Sequence, residues 1–274
     1  MNSLVFICFF TFIIHLAETL AYSMRLAGLR TKQIAIAMSF VTSTLLISRL
    51  SNMFQAPLLG AMVDFSILKH SQTALNTLAF NFRFIIFAAF LGSLAGAFLT
   101  PTMVYLFQKA ISRFLKNGSL PKTILQAFKP RNFIKIMCSF KRPRLIALKS
   151  LSLKNIPKTF LVMNVFVTSI YTIGVLCSLY AGACLPAFRS TAIQLSGIVN
   201  GMATIIFTLI VDPSGARITD QAMHGVRPEN DLKTVIVSLQ IGRMIGILIL
   251  AQLFFMPFSF YIMKVAQFIS LMAH

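Results

Sequence analysis

Residues 84–107 read FIIFAAFLGSLAGAFLTPTMVYLF, twenty-four residues without one charged side chain. A helix of that length rises about 1.5 Å per residue and crosses a hydrocarbon core of about 30 Å. It also satisfies its own backbone hydrogen bonds where there is no water to do so. Working outward from this run, five more apolar segments of spanning length occur at 4–26, 34–59, 160–183, 193–211 and 232–256. The composition agrees, because 57% hydrophobic and 11% charged residues, with a mean hydropathy of +0.81, leave too little polar surface to cover a water-soluble domain.

The expected fold is therefore all-α, a polytopic integral membrane helical bundle of about six transmembrane helices, and 274 residues leave no room for a separate soluble catalytic module. The whole chain reads as a single transmembrane domain. Residues 4–14 are apolar with no basic residue before them and no small-residue cleavage pattern after them, so they open the first span and are not a removable signal. Residues 257–274 contain Pro257 and Lys264 and fit either a bent extension of the last span or a helix lying in the interface.

Charge sets the expected orientation. Thirteen Lys and Arg lie from Lys109 to Lys158 without one Asp or Glu, which assigns the loop 108–159 to the cytoplasm and the N-terminus to the outside. Arg25, Arg30 and Lys32, and likewise Arg217, Arg227 and Lys233, then also fall inside. Lys69, Arg83 and Arg189 fall outside. Within the basic loop, charges alternate with large apolar residues, as in Arg131-Asn-Phe-Ile-Lys-Ile-Met and Arg144-Leu-Ile-Ala-Leu-Lys, a pattern suited to interfacial helices on an anionic leaflet. Anionic membrane lipids are thus expected partners. Nucleic acid is not, since no nucleic-acid-binding motif is present and the apolar residues have a bilayer to enter.

Three charges inside spans stand out, because such charges are costly and mark a pathway or a buried pair. Glu18 lies about 12 Å from the cytoplasmic end of its span and Arg243 about 16 Å from the same face, nearly level; Arg49 sits higher, at about 22 Å. Glu18 is expected to pair with Arg243, and Arg49 to be either a second partner or an anion ligand facing a cavity. His15, Glu18, Tyr22 and Arg25 recur at spacings of three and four and share one helix face, which reads as a cavity lining or as the face turned to the other helices. The pairs Gly92/Gly96, Gly197/Gly201 and Gly242/Gly246 are expected to let helices of the same chain pack closely.

Two turns carry a Gly-X-Arg unit, Gly28/Arg30 and Gly215/Arg217. Glycine admits a ligand close to the backbone and arginine offers a planar fork of donors that matches phosphate oxygens, although arginine at a cytoplasmic helix end also follows from orientation alone. Cys8, Cys138, Cys177 and Cys184 are scattered and lack the spacing of a zinc or redox pair, so no metal or cofactor is expected. Lys135 and Arg142-Pro143 open like the signature of membrane lipid phosphatases, and Pro213-Ser214-Gly215 is similar to its second element. Ala216 then stands where that family needs a histidine acid, and His224 lacks the partners of the nucleophile. Without acid and nucleophile there is no covalent phosphoryl transfer, and no zinc helix, nucleophile elbow or Walker loop is present; no catalytic residue is assigned.

Three stretches carry a resemblance: HLAETLAYSMRLAGLRT at 15–31, SRLSNMFQAPLLG at 48–60 and DPSGARITDQ at 212–221. Together with the length, span count and basic middle loop they resemble the Amj family of bacterial lipid II flippases. The resemblance implies a transporter in a bacterial cell membrane, not an enzyme, that moves the undecaprenyl-pyrophosphate-linked peptidoglycan precursor from the inner to the outer leaflet. Under it, Glu18, Arg49, Arg243, His15 and Tyr22 line the substrate route, and Arg25, Arg30 and Arg217 meet the pyrophosphate at the cytoplasmic mouth. A lipid-phosphate hydrolase and a membrane scaffold that transports nothing are the alternatives.

Overall fold

The structure, a computed structural model, describes residues 2–119, 122–123, 138–141 and 151–272. Among them the regular elements are all helices. The first half of the chain supplies α1 (Asn2–Ala21), α2 (Ser23–Thr31), α3 (Ile34–Leu68) and α4 (Gln72–Asn117). The second half supplies α5 (Lys158–Cys184), α6 (Arg189–Ile206), α7 (Asp212–Met223), α8 (Glu229–Ile245) and α9 (Gln252–Met272). Two π-helical turns, Phe207–Val211 and Gly246–Ala251, join α6 to α7 and α8 to α9 into continuous rods. Counting α1 with α2, α6 with α7 and α8 with α9, six helices are long and apolar enough to cross a membrane. The protein is a multi-pass membrane protein with a helical-bundle fold. The interfacial helices expected at 131–137 and 144–149 lie outside the described residues, and residues 257–272 continue α9 through Pro257.

The turns follow from local chemistry. Ser71 caps the start of α4 by accepting from the Thr73 N–H. Gly118 ends it in the left-handed conformation, with its N–H on the Phe114 carbonyl. Successive rods alternate in direction. One end of the bundle therefore gathers α2, the C-terminal part of α4 and α7, and carries the basic segment; the other gathers the α3–α4 and α5–α6 turns.

In the first half α1 packs between α3 and α4. The Phe12 backbone lies where a Cβ on Gly92 would stand, and Thr19 crowds Gly96 in the same way. In the second half Gly242 and Gly246 admit Asn164, Val165 and Thr168 of α5. Gly197 and Gly201 do not act like this: both face open space. The residues α6 buries are Ala192, Leu195 and Ala203, on a different face of the helix, so the expectation of intrachain packing fails for this pair.

Candidate functional site

Glu18 and Arg243 form an ion pair between α1 and α8, across the two halves of the chain. The same guanidinium lies 2.8 Å from His15 Nδ1 and donates from Nε to Ser93 Oγ at 3.3 Å. Arginine has no acceptor, so His15 Nδ1 is the acceptor in that contact and the imidazole proton belongs on Nε2. Ser48 of α3 donates to the other carboxylate oxygen of Glu18 at 3.0 Å. Tyr22, at the junction of α1 and α2, interacts with Arg243 as well. The Arg243 side chain is only 9% exposed while that of Glu18 is 32% exposed, so this charged centre opens on the carboxylate side.

A layer of neutral polar groups surrounds the pair. Gln240 donates to Thr100 Oγ1 at 2.7 Å, and Asn164 donates to the Leu239 carbonyl at 3.0 Å. These residues occupy positions that hydropathy reads as ordinary span. The signal that finds Asn164 and Gln240 is an amide inside an apolar run, which in lipid must be hydrogen-bonded within the protein.

Arg49 does not reach Glu18. It is exposed and makes no ion pair among the described residues. Ile34 and Met38, at the start of α3, line a recess of about 450 Å³ together with Asp212, Ala216 and Thr219 of α7. Asp64, near its end, is ion-paired with Arg189 of α6. Residues 34, 38, 42, 45, 49, 52, 56, 60 and 64 step by three or four and so form one stripe of the helix. Both ends of the stripe face the rod made by α6 and α7. Arg49 and Asn52 lie midway along the stripe and are exposed. On α6, Gly197 and Gly201 are open and Thr204 accepts from the Tyr171 hydroxyl at 2.5 Å.

At the basic end the arginines expected to meet a pyrophosphate are arranged unequally. Arg25 pairs with Asp212 at 2.5 Å, and its other terminal nitrogen, Nη1, is buried without a partner against Gly215, where a Cβ would collide with it. Arg30 directs both Nε and Nη2 to one oxygen of Glu229, at 3.1 and 2.8 Å. Arg217 is exposed and makes no ion pair among the described residues. Arg25 thus borders the recess with one donor unpartnered and Arg217 is exposed without a carboxylate, whereas Arg30 is engaged.

Four acids link the halves: Glu18 and Asp64 reach cations of the second half, and Asp212 and Glu229 reach cations of the first. The links stand at three levels, one at each end and one at the core. Of these partnerships the sequence reading reaches only Glu18–Arg243; for the other three the available signal was scarcity, since a chain with 25 Lys and Arg and six Asp and Glu leaves few choices for each acid. Among the described residues no group of three or more His, Cys, Asp or Glu is arranged to hold a metal ion.

Comparison with known proteins agrees with the earlier resemblance. The family model described as "Amj: Alternate to MurJ" matches residues 10–266. A protein of Bacillus subtilis (strain 168), named "Lipid II flippase Amj", is 37% identical over 262 residues, which is 95% of this chain and 96% of that one. No solved structure matches.

Proposed function

The chain belongs to the Amj family, and on that premise we propose that it is a lipid II flippase, carrying the undecaprenyl-pyrophosphate-linked peptidoglycan precursor from the inner to the outer leaflet of a bacterial cell membrane. No covalent bond changes in this task. The observation that best supports it is Arg49, exposed and without a carboxylate in the middle of a span. A cation at that depth is unfavourable in lipid and favourable beside a passing anion. The polyprenyl tail remains in the bilayer while the pyrophosphate and its sugars follow the polar route. Glu18, Arg243, His15 and Tyr22 form the floor of that route, and Arg25 and Arg217 meet the pyrophosphate at its entrance. Arg30, held by Glu229, joins them when that contact opens.

In this reading the N-terminus is outside and the loop 108–159 is cytoplasmic, which sets the basic end of the bundle against anionic lipids of the inner leaflet. Residues 1–274 act as a single transmembrane domain. Cys138, which is exposed, offers a direct check of sidedness. In a variant carrying Cys8→Ala, Cys177→Ala and Cys184→Ala, a membrane-impermeant maleimide is expected to leave Cys138 unlabelled in intact cells and to label it after permeabilisation. Labelling in intact cells reverses the orientation.

Expression in a bacterium depleted of its own lipid II flippase tests the function itself. Growth and externally accessible lipid II are expected to return. Failure of a correctly inserted protein to restore either removes the flippase reading.

A further inference from the structure

The chain has six carboxylate side chains. Glu18, Asp64, Asp212, Asp220, Glu229 and Asp231 are each already in contact with a cationic or titratable partner: Arg243, Arg189, Arg25, His224, Arg30 with Lys233, and Arg227. None of them lines the recess beside the C-terminal part of α4, where Lys109, Arg113 and Lys116 step by four and three residues along one face of the helix. With Tyr105 and Ser112 these three cations line a recess of about 320 Å³. The polypeptide has no side-chain carboxylate left to neutralise them.

The recess is anchored as well as charged. Lys141 is tied to α4 through its backbone, its N–H donating to Thr102 Oγ1 at 2.9 Å and its carbonyl accepting from the same hydroxyl at 3.3 Å. Phe140 packs on Phe98 of α4, with ring centroids 5.8 Å apart. This brings a fourth cation to the site: the Lys141 ammonium lies 4.0 Å and the Lys109 ammonium 4.3 Å from the centre of the Tyr105 ring. The two like charges are therefore within about 8.3 Å of each other. The aromatic ring attracts each of them without neutralising either.

Depth selects the class of ligand. Tyr105 lies near the end of the uncharged run 84–107, about 32 Å along the helix from its start and so at the level of lipid headgroups. Phe98, Leu115 and Phe140 beside it are about half exposed, apolar surface that suits acyl chains.

We propose that Tyr105, Lys109, Ser112, Arg113, Lys116 and Lys141 form a binding site for the phosphate of an anionic membrane lipid, separate from the Glu18–Arg243 centre. Phosphate is the shared chemistry, and it comes either from a leaflet phospholipid such as phosphatidylglycerol or from the pyrophosphate head of the transported lipid. The site deepens the proposed contact between the basic end and anionic lipids, and its test does not depend on transport.

The full chain is released from nanodiscs containing equal phosphatidylglycerol and phosphatidylcholine, and the lipids it retains are counted by native mass spectrometry. Wild type is expected to favour phosphatidylglycerol about five-fold or more, and Lys109→Gln/Arg113→Gln to bring the ratio within about two-fold, with helicity by circular dichroism unchanged. Lys69→Gln/Lys264→Gln, which removes the same number of charges elsewhere, is expected to behave as wild type. A preference that survives the first pair of substitutions, or no preference in wild type, overturns the proposal. Undecaprenyl pyrophosphate added at low molar ratio separates the two sources: displacement of phosphatidylglycerol assigns the site to the carried lipid, and retention assigns it to the leaflet. Failed rescue in cells with intact lipid preference would remove the flippase reading and leave this site standing.

Discussion

Glu18→Gln is expected to abolish rescue of a flippase-depleted bacterium and to lower stability by about 3 kcal/mol, near the lower end of what breaking a buried ion pair costs, since the carboxylate side of the pair is partly open. The larger part of that loss comes from Arg243. Its guanidinium is buried and would keep His15 and Ser93 but no counter-charge. Glu18→Gln/Arg243→Gln removes both charges together and should recover most of the stability, measured as the thermal unfolding midpoint in detergent, because two neutral amides can bond to each other and to Ser48. Rescue separates structure from transport. If the pair only holds α1 against α8, the double variant regains rescue along with stability. If the charges serve the passing headgroup, stability returns and externally accessible lipid II does not; the second outcome is the expected one.

Arg49→Gln should give the opposite combination. Arg49 is exposed and makes no ion pair among the described residues, so its loss is expected to change stability by no more than about 0.5 kcal/mol. A charge-assisted hydrogen bond to a phosphate contributes about 1.5–3 kcal/mol, so externally accessible lipid II should fall by about ten-fold or more at equal expression. Arg49→Lys keeps the charge and loses the planar fork, and is expected to fall between the two. Unimpaired transport by Arg49→Gln would take this residue out of the substrate route.

The six rods and the Glu18–Arg243 contact were legible from residues alone, for one physical reason: hydropathy marks spans, and charges inside spans are so few that those at equal depth can be matched. Rotation about a helix axis was not legible. Hydropathy gives Arg49 a depth but no direction, and its separation from Glu18 emerges only once Asp64 meets Arg189 and Met38 meets α7. Gly197 and Gly201 show the same limit, since their spacing equals that of Gly92 and Gly96 while their surroundings are open. The engagement of Arg25 by Asp212 and of Arg30 by Glu229 joins residues 187 and 199 positions apart, beyond the reach of any local pattern.

The distance along the chain between the members of the central pair also has a consequence for biosynthesis. Glu18 precedes Arg243 by 225 residues. At roughly 5–20 residues per second a ribosome needs about 11–45 s to make that stretch. Ser48, only 30 residues beyond Glu18, is made about 1.5–6 s after it and donates to that carboxylate. The nascent first half thus waits in the membrane with an acid capped by one serine until the last rod is delivered. A chain cut short before α8 carries that acid without its counter-charge.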